Sequence, residues 1–233
     1  MSVLAVLDPA VAAAHAVVAA IAHVMPTALA IVLFTVAVRL ALHPLARAAS
    51  RGEKARTRLA PQVAALRKKH EKRPEKLQEA LAEMYRKEQV SPFAGCLPML
   101  VQIPFFSVMY RLFTTPNDLL DHTLFGVPLG LHVGGAHGAG QLAVFGLLYA
   151  GLAAVGVVNF RRARRATAAA AAQPTPQPGA GLLPYLSFGS VLFATLVPVA
   201  AALYLLTTSV WSAAERAWLY RDGAQAPVTA LTI

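Results

Sequence analysis

The 233-residue chain is 57% hydrophobic and 14% charged, with a mean hydropathy of +0.54 and a formal net charge of +10. Soluble domains carry about 25% charged residues, so this composition is that of an integral membrane protein. The basic surplus lies in two clusters, thirteen Lys/Arg between His43 and Pro92 and four in Arg161–Arg165, with none between Leu112 and Gln141. Alternation of basic and base-free loops is the positive-inside pattern, which argues against nucleic acid as the primary ligand and leaves anionic lipid as a secondary one.

The N-terminal segment has no basic stretch ahead of its apolar residues and no lipobox cysteine, so it is a poor signal peptide. Residues Ala10 to Val24 are alanine-rich and bracketed by Pro9 and Pro26. They read as an interfacial helix on the outer face (residues 1–25), with an additional span as the competing reading. The first span is expected at residues 26–45, with the helix running from Pro26 to about Leu42 and ending near Pro44. Within it, Arg39 is a charge in a run long enough to cross a bilayer. Insertion scales put a guanidinium at the bilayer centre at roughly +3 kcal/mol and simulations at more than +10, so such a residue faces a bundle interior or wet cavity, or else snorkels toward the headgroups.

Residues 46–91 are polar and rich in helix formers. Leu59, Val63 and Leu66, then Leu77, Leu81 and Met84, recur at helical spacing, with a turn before Pro74. They predict a cytosolic hairpin of two antiparallel amphipathic helices, supported by Glu79 and Glu83, which precede Arg86 and Lys87 by helical steps. The second span, 92–113, holds Pro98 and Pro104, each of which disturbs helical hydrogen bonding, and between them Gln102 as a cavity-facing candidate. Cys96, the only cysteine, reads as a packing residue. Residues 114–140 form an outer loop whose histidines (His122, His132, His137) match no metal-ligand spacing. The third span, 141–160, stops at the RRARR cluster, and 161–181 is a cytosolic Ala/Pro/Gln linker. The apolar stretch from Leu182 to Trp218 would be about 55 Å as one helix, too long for a ~30 Å core, so Pro198 divides it into spans 182–197 and 198–219. Trp211, Trp218 and Tyr220 lie toward the inner end, and 220–233 is a cytosolic tail. The expectation is an all-α protein with five spans, the N-terminus outside and the C-terminus in the cytosol.

The string QVAALRKKHEKRPEKLQEALAEMYRKEQVSPFAGCLPMLVQIPFF, the VRLALHP of span one and the LYLLTTSVWS of the last span resemble the YidC/Oxa/Alb membrane protein insertases. The likeness covers about Pro26 to Trp218, in a short, Gram-positive-type form. It implies a five-helix core around a hydrophilic groove open to the cytosol and to lipid. Arg39 matches the family's groove arginine and Trp211 its last-span tryptophan. Ser209 stands where other members carry Asn, and Gln102 completes the expected client-binding groove. Ala153 and Ala154 replace a polar pair common in the family, which makes Arg39 weigh more heavily. A fixed charge at low dielectric would attract the polar end of a client, while burial of the client's apolar segment, near 25 cal/mol per Å², drives insertion without ATP. No phosphate-binding loop is present in the sequence, and neither enzymatic activity nor a cofactor or metal is expected. The implied partners are newly made membrane proteins, the Sec translocon, the ribosome or signal recognition components, and lipid. The tail lacks a basic ribosome-binding extension.

A small transporter or channel is the rival class, but no acidic residue falls mid-span and no internal repeat is evident. A membrane scaffold with a docking hairpin is a third reading, and it leaves Arg39 without a role.

Overall fold

Proline opens most of the helices, because its fixed φ suits a first helical turn and its missing N–H is one the helix does not use there. The computed structural model describes residues 7–88, 97–171 and 182–221. Pro9 lies in the first turn of α1 (Asp8–Ala22), Pro26 caps α2 (Thr27–Lys69), Pro74 starts α3 (Pro74–Lys87) and Pro198 caps α7 (Val199–Leu219). Between them lie α4 (Leu97–Thr114), α5 (Ala139–Ala171) and α6 (Gly189–Ala194). Cys96 and the 222–233 tail fall outside the described residues.

Three expectations about helix ends change. First, α2 does not stop at Pro44; it continues through Pro44 and Pro61 to Lys69 as one helix. Pro44 leaves the Leu40 carbonyl without its usual donor. The turns on either side are nonetheless held to α7, through His43 and Arg47, and the segment that follows is rich in helix formers. Second, α5 runs on past the apolar segment to Ala171, since arginine and alanine both favour helix. Third, residues 183–194 are a 3-10 helix, Leu183–Phe188, followed by the six-residue α6. Together they rise roughly 21 Å, less than the ~30 Å hydrocarbon core.

The hairpin is present. Residues 70–73 reverse the chain between α2 and α3, and Arg58 on α2 donates to Glu88, just past α3, at 3.3 Å. Leu59 of the predicted stripe is buried, and Glu83 pairs with Lys87 at 2.8 Å one turn on. That hydrogen bond holds the Glu83 carboxyl below the usual carboxylate range.

The core lies among α1, α2, α4, α5 and α7, where Val18, Ile31, Phe113, Phe145, Leu152 and Tyr204 are almost fully enclosed. Small residues permit close approach: Ala200, Ala201 and Ala202 open α7 fully buried, and Ala28 and Ala30 do the same on α2. The exterior is apolar instead. Leu40, Leu147 and Leu192 are 56%, 68% and 72% exposed, which is the arrangement of a protein solvated by lipid. Among the described residues, α2 and α5 are long and apolar enough to cross a membrane.

The connection before α5 packs down on the bundle rather than standing clear of it. Phe125 and Gly126 both have positive φ, turning the two-residue hairpin between β1 (Thr123–Leu124) and β2 (Val127–Pro128). The Leu131 and Leu129 carbonyls then accept from the N–H groups of Val199 and Ala200 at 3.0 and 2.9 Å. Those are first-turn donors of α7 with no partner inside their own helix. Asp118 accepts from His15 at 2.7 Å and Asp8 from Arg111 at 2.6 Å, tying α1 to the loop and to α4.

Candidate functional site

Helices α2 and α7 pack along a shared seam and run parallel, since the pairs across it advance in the same direction on both. On α7 the seam residues recur at spacings of four and three: Tyr204, Thr208, Trp211, Glu215 and Trp218. Facing them, α2 presents Thr35, Arg39, His43 and Arg47 at steps of four. That spacing keeps side chains on one helical face, so two stripes nearly 170 residues apart in sequence can meet over several turns.

The seam is graded. At its apolar end Ile31 and Ala200 are fully buried, and the Thr35 hydroxyl donates back to the Ile31 carbonyl at 2.7 Å, so it needs nothing else. One turn on, Arg39 lies within electrostatic reach of Tyr204, Glu215 and Arg216. Its Nε is buried and has no hydrogen-bond partner among the described residues; the same holds for Thr208 Oγ1 and Trp211 Nε1 on the opposite helix. Three buried polar atoms without a partner among the described residues, on two facing helices, are costly, since each forgoes about 1–3 kcal/mol of hydrogen bonding. An interior arranged for stability alone pairs such groups. Ser209 is buried beside Thr208.

Beyond this level the seam becomes charged. His43 Nδ1 donates to the Glu215 carboxylate at 2.6 Å, the His43 ring lies 5.4 Å from that of Trp218, and the Arg47 guanidinium sits 5.4 Å above Trp218. Farther along, the Tyr220 hydroxyl donates to Glu53 and Lys54 stacks on the Tyr220 ring at 5.5 Å. Burial first, and then the Glu53 carboxylate, pushes the Tyr220 phenol above its ordinary value. Arg162 of α5 donates to the Ala213 carbonyl at 2.9 Å, fastening a third helix to this end.

Of the sequence candidates, Arg39 lies on α2 and Ser209 and Trp211 on α7, the two helices of the seam. Gln102 lies on α4 before Pro104, and its side chain is outside the described part. Sequence reasoning missed Thr208, Tyr204 and the His43–Glu215 pair. The four-three spacing of polar and aromatic residues from Tyr204 to Trp218 is the signal that would have found them.

Residues 20–226 match the sequence profile of the family described as 60Kd inner membrane protein. Curated relatives carry the name membrane protein insertase YidC. The one from Caulobacter vibrioides is 38% identical over 98 residues, covering 42% of this chain and 16% of that protein. The one from Pelagibacter ubique is 44% identical over 88 residues, 37% of this chain and 16% of that protein. The one from Clostridium perfringens is 37% identical over 89 residues, 38% of this chain and 37% of that protein. The match thus spans well under half the length of each of these relatives.

Proposed function

The chain belongs to the 60Kd inner membrane protein family, the YidC/Oxa/Alb family of the resemblance noted above, and from that membership we propose that it inserts client membrane proteins into the bilayer along the α2–α7 seam. Membership makes it a membrane protein. Five spans (26–45, 92–113, 141–160, 182–197 and 198–219) would enclose a groove entered from the cytosol, with the α2–α3 hairpin receiving clients or their delivery partners. In that frame Arg39 supplies the fixed charge, and Thr208 and Trp211 the hydrogen-bonding groups. Ser209 and Gln102 would extend the polar surface.

The observation that carries this reading is the unpaired level of the seam. Arg39 Nε, Thr208 Oγ1 and Trp211 Nε1 are buried without partners among the described residues, on two helices that face one another. A client's polar or acidic segment would satisfy them in passing. Its attraction to a guanidinium at low effective dielectric far exceeds the attraction in water. The client's hydrophobic helix then partitions into lipid, and its apolar burial drives the step with no need of nucleotide hydrolysis. The short relief formed by residues 183–194 would thin the hydrocarbon distance locally, which shortens the path for the polar segment.

The test is complementation of an insertase-depleted bacterium with wild type, Arg39→Ala and Arg39→Lys at matched expression. Rescue by wild type and Lys, with Ala reduced at least tenfold in client insertion, is the expected result. Rescue by all three would remove the charge from the mechanism. Failure of wild type to rescue would overturn the insertase reading for the tested clients.

A further inference from the structure

Where α5 leaves its apolar segment, a cleft of about 580 Å³ opens between it and the 3-10 helix Leu183–Phe188. Its lining on α5 is Val157, Arg161, Arg164, Arg165 and Ala168, which fall on one face by helical spacing, with Phe160 beside them and Phe188 opposite. The cleft is ordered along the helix axis. Val157, Phe160 and Phe188 form its apolar end, and three guanidiniums follow within the next two turns. Among the described residues, no acidic side chain lines it. Arg162, the remaining arginine of the cluster, points the other way and is spent on the Ala213 carbonyl.

The aromatic floor is built rather than incidental. Phe160 packs against Phe188 with the rings tilted at 45° and meets Tyr185 edge-on, at 5.8 and 5.2 Å, and the Arg164 guanidinium lies 5.8 Å over the Phe160 ring. The 3-10 helix seats closely because Gly156 has no side chain; a Cβ there would lie 3.0 Å from the Phe188 ring and 3.2 Å from the Ser187 carbonyl. Tyr185 and Leu186 remain exposed on the far side, continuous with the apolar exterior.

We propose that this cleft is a binding site for one anionic phospholipid, its phosphate on Arg161, Arg164 and Arg165 and the start of an acyl chain on Val157, Phe160 and Phe188. The order of the lining reproduces the order of the lipid, chain and then phosphate, at the level where a helix of this apolar length meets headgroups. Guanidinium groups pair with phosphate in forked geometry, and basic pockets between spans are where anionic headgroups are held. The charge complement and the adjoining apolar wall together specify a lipid rather than a soluble anion.

Native mass spectrometry of the detergent-purified full chain titrated with phosphatidylglycerol, phosphatidylcholine or inorganic phosphate tests this. One phosphatidylglycerol should be retained in preference to phosphatidylcholine, and inorganic phosphate should not displace it. A basic residue near an anionic surface is worth about fivefold in affinity, so the triple variant Arg161→Gln/Arg164→Gln/Arg165→Gln should weaken retention on the order of 100-fold. Val157→Trp keeps every charge and fills the apolar end; it should lower retention by at least tenfold. Lys68→Gln/Lys69→Gln/Lys72→Gln on the hairpin should leave it unchanged. Equal loss in the lysine variant, retention unaffected by Val157→Trp, or no preference for phosphatidylglycerol would each overturn the site.

Discussion

Three glycines on α5 meet very different surroundings, and substituting each by alanine separates backbone propensity from packing. A Cβ at Gly146 meets nothing within 4 Å. Alanine there should stabilise the protein by about 0.5–1 kcal/mol, the usual difference between the two residues inside a helix. At Gly151 the added atom comes 3.0 Å from Leu206 Cδ1, the far end of a flexible side chain. The leucine can rotate away, so propensity and crowding should offset one another to within about 0.5 kcal/mol. At Gly156 the atom would meet the Phe188 ring at 3.0 Å and the Ser187 carbonyl at 3.2 Å, and neither yields easily. Ordinary carbon contacts lie at about 3.5–4.0 Å, so the 3-10 helix must move by several tenths of an ångström. Overpacking of this kind costs about 1–3 kcal/mol, leaving a net loss of about 1–2 after the gain in propensity. Unfolding in mixed dodecylmaltoside–SDS micelles, followed by far-UV circular dichroism, should therefore place Gly146→Ala and Gly156→Ala about 2 kcal/mol apart with opposite signs. If Gly156→Ala stabilises as much as Gly146→Ala, the close seating of residues 183–188 on α5 is wrong.

Other consequences follow from single contacts. The hydrogen bond from His15 holds the Asp118 carboxyl below its usual range, so its contribution to docking α1 is complete above about pH 3.9 and fades as pH falls through the lowered value. Hydrogen exchange in α1 should accelerate across that window, and Asp118→Asn should show the faster exchange without the pH dependence. Tyr220 is shifted upward, so the stabilisation from its neutral hydroxyl on Glu53 persists below about pH 10 and is lost as pH rises beyond its raised value. Tyr220→Phe should cost about 1 kcal/mol in the same micellar unfolding assay and abolish that alkaline loss. Trp211→Phe removes a buried N–H that has no partner among the described residues, so stability should hold within about 0.5 kcal/mol while client insertion, measured by protease protection, falls severalfold. A matching loss of stability would mean that the indole serves packing alone.

Much of this protein is written locally. Membrane character follows from composition, because a chain so apolar has no soluble arrangement that hides its surface. Helix starts follow from Pro9, Pro26, Pro74 and Pro198, since proline acts on its own turn. The hairpin is legible because one polar side and one leucine stripe per helix leave little choice of face. Arg39 stands out for the same reason, as a charge where its neighbours permit none. What the tertiary structure alone decides is which faces meet. A helix that is apolar all round carries no signal distinguishing lipid from protein, so periodicity says little about partners. The pairing of His43 with Glu215 across 172 residues therefore had to come from packing. So did the passage of α2 through Pro44, since a proline's cost is local while the contacts that outweigh it are contributed by α7. The arginines of α5 show the division most plainly. Their number and sign were visible as a topology signal, but only the fold turns Arg162 toward α7 and sets the other three around a cleft with an aromatic floor.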